Sequence, residues 1–196
     1  MNTKISWLYT KLFLGIFCFL SCGGETHTPR PQGYSRLNLP EAMYQPLPDS
    51  FPYFFEYSKH ATLENDSSWI AEPYWIKLFY PDFQAAVQIT YKPISNPKLL
   101  EEYIFDSYKL TAKHQIKASH MEERILSWPK SGIKASWIQL KGEVPSPFQF
   151  HVSDSSKHFL RAAVYLQTAT KNDSLAPLID YLKEDMLHLL STLRWK

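Results

Sequence analysis

The sequence predicts an α+β domain, a single mainly antiparallel sheet of about six or seven strands covered by two helices. Three observations support this. Apolar residues recur at every second position in a series of short segments, and at helical spacing in two longer ones. The segments between them are clusters of Pro, Gly, Ser and Asp too short to carry the crossover that a parallel pair needs.

The first strand is expected in the aromatic run Phe51 to Tyr57, and the second over Tyr74-Trp75-Ile76-Lys77-Leu78-Phe79-Tyr80, between Pro73 and Pro81. Aromatic and β-branched side chains suit a pleated, half-buried surface, and proline confines a strand to the residues between. The third strand, Ala85 to Lys92, sets Ala85, Val87, Ile89 and Tyr91 on one face against Gln88, Thr90 and Lys92 on the other. Asn96-Pro97 then opens a helix. The Asn side chain accepts a free N–H of the first turn, and Pro at the first helical position has no N–H to leave unpaired. Leu99, Leu100, Tyr103, Ile104 and Leu110 carry that helix to about His114.

Alternation resumes in Met121 to Trp128, Ile133 to Lys141 and Phe148 to Ser153, with turns at Pro129-Lys130-Ser131-Gly132 and Pro145-Ser146-Pro147. A further turn, Ser153-Asp154-Ser155-Ser156, leads to a strand from His158 to Thr168, with Leu160, Ala162, Val164 and Leu166 on one face and Phe159, Arg161 and Tyr165 on the other. The last helix opens at Asn172-Asp173-Ser174 and carries the apolar stripe Leu175, Leu178, Ile179, Leu182, Met186, Leu189, Leu190 and Leu193. In its order of elements the domain resembles the PsbP/Mog1-like fold.

The first two dozen residues differ from the rest. Lys4 and Lys11 precede the uninterrupted apolar run Leu12 to Leu20, the arrangement of an export signal. That run is well short of the roughly twenty residues that span a bilayer as a helix. Ser21-Cys22-Gly23 follows at once, a small residue before a cysteine, so Cys22 is expected to become the lipidated first residue of the mature chain; ordinary secretory cleavage, or an uncleaved anchor, with Cys22 incidental, is the alternative. The predicted organisation is a lipoprotein signal peptide over 1–21, a flexible tether over 22–33 rich in turn and polyproline residues, and one globular domain over 34–196.

Composition narrows the function. Hydrophobic residues make up 44% of the chain and aromatic ones 15%, enough for one continuous core and too much for disorder. With Lys4 and Lys11 removed with the leader, 19 of the 21 basic residues remain against 19 acidic ones. A neutral domain without clustered Lys and Arg is a poor ligand for phosphate backbones, so no nucleic-acid partner is expected. The two cysteines, Cys18 and Cys22, lie at the leader, which leaves the domain no internal disulfide or thiolate metal site.

Catalytic patterns are absent. No G-x-S-x-G elbow, phosphate-binding glycine loop or H-E-x-x-H spacing occurs, so no enzyme activity, metal or cofactor is expected beyond the covalent lipid on Cys22. Asp154-Ser155-Ser156-Lys157-His158 contains the residue types of a Ser/His hydrolase, and His151, Asp154 and His158 those of a metal site, but Asp and Ser are also what a hairpin turn prefers. The residues singled out as contacts to a ligand or partner are Arg161, His158 and Tyr165. Arg161 either pairs with a carboxylate, the commoner role, or meets a ligand. The aromatic stretch 51–57 is read as core before it is read as an interface.

Several segments together resemble one family. Pro29-Arg30-Pro31-Gln32-Gly33-Tyr34-Ser35-Arg36-Leu37-Asn38-Leu39-Pro40, Phe51-Pro52-Tyr53, Pro73-Tyr74-Trp75-Ile76, Tyr91-Lys92-Pro93-Ile94, Asp154-Ser155-Ser156-Lys157-His158-Phe159-Leu160-Arg161-Ala162 and Asp173-Ser174-Leu175-Ala176-Pro177 are similar, in order and spacing, to the gliding-motility lipoprotein GldD family of the Bacteroidota. The resemblance implies a lipid-anchored protein of the cell envelope, needed for gliding motility and the associated type IX secretion machinery, with other envelope proteins as partners and no enzymatic activity. By resemblance to other bacterial lipoproteins, Gly23, where an inner-membrane retention signal would place Asp, points to the outer membrane, and Glu25 alone, where surface-exposed lipoproteins of the Bacteroidota tend to carry an acidic run, points to its periplasmic face. A periplasmic lipoprotein that binds a ligand or peptide in a groove between sheet and helix is the competing expectation.

Overall fold

The computed structural model describes residues 38–129, 131–167 and 175–196, which all fall within one unit, Gly33–Lys196. The leader, the whole tether with Cys22, Thr168 and the Asn172-Asp173-Ser174 cap lie outside them. Seven strands form the main sheet: β4 (Thr62–Asn65), β5 (Ile76–Tyr80), β6 (Ala85–Pro93), β7 (Ala118–Trp128), β8 (Ile133–Gly142), β9 (Phe148–Ser153) and β10 (His158–Leu166). Their order is β4-β5-β6-β10-β9-β8-β7, antiparallel throughout. Helix α1 (Pro97–Gln115) follows β6, and α2 (Ala176–Thr192) follows β10. The predicted α+β class is the observed one. Among the described residues no helix is long and apolar enough to cross a membrane.

Local chemistry sets the boundaries. Asn96 caps α1 as its composition implied, with its side chain accepting from the Leu99 N–H at 3.1 Å and Pro97 at the first helical position. β5 and β6 are joined by a 3-10 turn over Pro81–Phe83 that Gln84 closes at φ 49°. At the far end of the sheet β7 begins earlier than the alternation suggested, because a bulge between Ala118 and His120 lets it pair on to Gly142. Gly142 has φ +105°, and a Cβ there would lie 2.9 Å from the Ser119 backbone nitrogen, so the close approach requires glycine.

Period two divides the sheet into unequal faces. One carries Ile76, Leu78, Val87, Ile89, Phe148, Phe150, Leu160 and Val164, all buried, with Trp137 stacked on Phe148 and Phe150 at ring distances of 5.2 and 6.0 Å. Helix α2 lays Leu178, Leu182, Met186, Leu189 and Leu190 on that face. Each such side chain contributes about 1.5–3 kcal/mol through removal from water, so this face holds the domain together. It contains one carboxyl, Asp185, which accepts a hydrogen bond from the Tyr80 hydroxyl at 3.0 Å. Burial raises the Asp185 pKa, against the lowering effect of its hydroxyl neighbours.

The run 51–57 departs from the prediction of one strand. It splits into β2 (Tyr53–Phe54) and β3 (Glu56–Ser58), outside the main sheet: β2 pairs with β11 (Arg194–Trp195) and β3 with β1 (Tyr44–Pro46). Tyr53, Phe55 and Tyr57 are nonetheless buried in the core beside α2, which settles the aromatic stretch as packing. A strand's alternation identifies its buried side but not its neighbours, and β1, β4 and β11 are too short to show a period.

Candidate functional site

The opposite face of the sheet lies under α1 and is built differently. Of α1's nineteen residues, Ser107 and Thr111 are the buried ones, while Leu99, Leu100, Tyr103 and Ile104 are half-buried and Leu110 is exposed. A helix resting on small polar side chains leaves space beneath it. The result is a groove of about 560 Å³. Gln88 and Thr90 of β6 and Phe159 and Arg161 of β10 form its floor, Tyr103, Ser107 and Leu110 its α1 wall, and Trp75 with Ile70 from the β4–β5 connection its other side. The Trp75 ring is fixed by an Nε1–H donated to the Tyr91 carbonyl at 2.8 Å, and Tyr103 packs its ring on Phe159 at 5.6 Å.

Arg161 is the chemically unusual member. It is 7% exposed, and it belongs to none of the ion pairs of the described residues. Its Nη2 donates to Gln149 Oε1 on β9, but its Nε has no partner, and neither does the Gln149 amide nitrogen. Across the strands it faces Thr90 and His151. Burial pushes its pKa down and the nearby Tyr165 hydroxyl pushes it up. The histidines around it respond in the same sense: His151, whose Nδ1 meets the Ser107 hydroxyl at 3.2 Å, and His114, which meets the Tyr165 hydroxyl at 3.4 Å, are both lowered first by burial, with Arg161 adding to it, while Glu123 raises His151. The expectation that Arg161 pairs with a carboxylate is thus not met.

The structure brings Arg161 and Tyr165 to this face and leaves His158 on the other. His158 shares the α2 side with Leu160, where its Nδ1 meets the Tyr91 hydroxyl at 2.8 Å and its ring stacks on Trp195 at 5.1 Å. His151 and His158 therefore point to opposite sides of the sheet, and His151, Asp154 and His158 do not converge as metal ligands would. Asp154 serves the turn instead, with Oδ1 accepting the backbone N–H groups of Ser156, Lys157 and His158. Burial would raise its pKa, but those three donors outweigh burial and hold it at about 2. Ser155 takes the left-handed corner at φ 63°, its N–H given to Ser153 Oγ at 2.9 Å. The segment's residue types are those a hairpin uses.

Sequence reasoning missed Ser107 and Trp75 as groove residues, and Gln149 as the buried partner of Arg161. Gln149 and His151 were legible as the polar side of a strand, but nothing in the alternation said that a helix would cover that side. The signal available was α1's own composition, with Ser107 and Thr111 four apart on what became its inner face.

A family model described as gliding motility lipoprotein GldD matches residues 24–195. The chain belongs to this family. It is accordingly a lipoprotein of the cell envelope connected with gliding motility. No curated protein sequence matches the chain. Among solved structures, the solution structure of cyanobacterial PsbP (CyanoP) from Synechocystis sp. PCC 6803 is similar at a TM-score of 0.47 and 12% identity, covering 83% of this chain and 98% of that one.

Proposed function

We propose that this GldD-family chain is a non-enzymatic accessory component of gliding motility and type IX secretion, held by lipid on Cys22 at the outer membrane, facing the periplasm, where it binds or assembles other envelope proteins. The observation that carries this reading is the family match, which begins at residue 24, two positions after Cys22, and runs through the domain. Acyl chains anchor at about 0.8 kcal/mol per buried methylene, so several chains would hold a domain whose described residues include no spanning helix. The residues from Gly23 to Gly33 reach about 35 Å when extended, which lets the domain meet partners away from the lipid surface.

Replacing Cys22 by Ala tests the anchor. Acyl labelling should disappear, the protein should leave the membrane fraction, and crosslinked envelope partners recovered with the native chain should be lost. Unchanged labelling and fractionation would refute the anchor, and pull-downs from native membranes that repeatedly return only the bait would refute the assembly role. One observation favours a second reading, a ligand-binding lipoprotein: the guanidinium in the floor of the α1 groove has no carboxylate partner among the described residues.

A further inference from the structure

An arginine that is nine-tenths buried normally lies against a carboxylate, because the charge loses its hydration and must recover it from the protein. Arg161 has instead neutral partners, the Gln149 amide oxygen and the Tyr165 hydroxyl, and its Nε is unpartnered inside the sheet. The other groups facing it among the described residues are Thr90, His151 and His114, none of them an anion. Four cations line the groove, Lys92, Lys109, Lys113 and Arg161, against the carboxylates Asp66 and Asp106, and Lys92 is already engaged by Glu72. The site is short of negative charge where solvent is least able to supply it.

We propose that the α1 groove binds a small amphipathic carboxylate, its carboxylate seated on the Arg161 guanidinium and its apolar body between Trp75, Tyr103 and Phe159. A planar guanidinium presents paired N–H donors that match a carboxylate, and an incoming anion would supply the charge that the fold withholds. The volume is that of a site for a molecule of ordinary ligand size, and the three rings supply flat apolar surface above the charge. The proposal deepens the ligand-binding reading and is independent of the assembly role.

Calorimetric titration of the full chain in non-ionic detergent with 4-phenylbutyrate, and separately with 4-phenylbutyramide, tests it. The acid should bind saturably and at least about tenfold more tightly than the amide, and Arg161→Met should bring the acid down to the amide's affinity. Should that variant fail to fold, the comparison of acid with amide on the unaltered chain is decisive by itself. Equal binding of the two would overturn the carboxylate assignment while leaving a ligand groove in place, and binding of neither would overturn the groove reading with it. Inorganic phosphate displacing the acid at equal concentration would show that a bare anion suffices, against an amphipathic ligand.

Discussion

The Arg161 guanidinium, which meets no carboxylate among the described residues, makes a stability prediction that can be worked from its contacts. Arg161 and Gln149 share one hydrogen bond and leave two orphan donors, the Arg161 Nε and the Gln149 amide nitrogen, both buried. An unsatisfied buried polar group costs about 1–3 kcal/mol. Arg161→Met removes the Nε penalty but strips Gln149 Oε1 of its donor, so the two effects nearly cancel and the single variant should stay within about 1 kcal/mol of the parent. Adding Gln149→Leu removes the remaining orphans and replaces the whole pair by apolar side chains, which should raise stability by about 2 kcal/mol. For a domain of this size that is a rise in Tm of about 4–8 °C. Urea denaturation followed by circular dichroism, with an unchanged m-value, is the assay. A double variant less stable than the parent by about 1 kcal/mol or more would show that the guanidinium is a structural member of the sheet, and the case for an open anion site would go with it.

Other outcomes follow from titrating groups and from the unequal helices. Asp185 has a folded-state pKa above its unfolded value because of burial, so the stability tied to its protonated form is present at low pH and lost as pH rises through the folded value; Asp185→Asn should be more stable than the parent at pH 7, with a smaller gain on acidification, read from urea midpoints at pH 5 and 7. Asp154 is the opposite case. Its pKa is held at about 2 by backbone donors, so its contribution is present above 3.8 and lost as pH falls towards 2. Because that carboxylate is well solvated, the screened cost of Asp154→Ala is about 1 kcal/mol at pH 7, and the gap from the parent should close on acid titration. Helix α1 buries two residues against six for α2, so amide hydrogen exchange should release α1 through a partial opening well before α2, which should exchange only with global unfolding. Equal protection of the two helices would contradict that difference in packing.

The sheet was legible because its strands alternate apolar with polar side chains: Phe148, Phe150 and Val152 against Gln149 and His151 give β9 its limits to the residue. Asn96-Pro97 and the Leu178 to Leu190 stripe fixed the helices in the same way. What stayed hidden depends on partners distant in sequence. β10 lies between β6 and β9, and no local pattern says so. The same gap explains the site. Arg161 was noticed as a charge on a strand, but whether a carboxylate reaches it is decided by α1, β6 and β9 together, and His158 was grouped with it although a separation of three positions along β10 puts the two on opposite faces.

The two sides of this sheet answer different demands. Under α2 the inward positions of β6, β9 and β10 are apolar or aromatic apart from His158 at the start of β10, and the helix returns a matching row of Leu and Met. Under α1 the same three strands present Thr90, Lys92, Gln149, His151 and Arg161, and the helix meets them with Ser107 and Thr111. Val or Leu at those positions would bury more apolar surface with no orphaned donors, so stability alone does not account for the choice. One well-packed face, the α2 side, is enough to fold the domain. The other face is then free to carry the costly polar groups that recognition requires. Substitutions should sort accordingly, with changes under α2 lowering the amount of folded protein and changes under α1 altering what it binds while the fold persists.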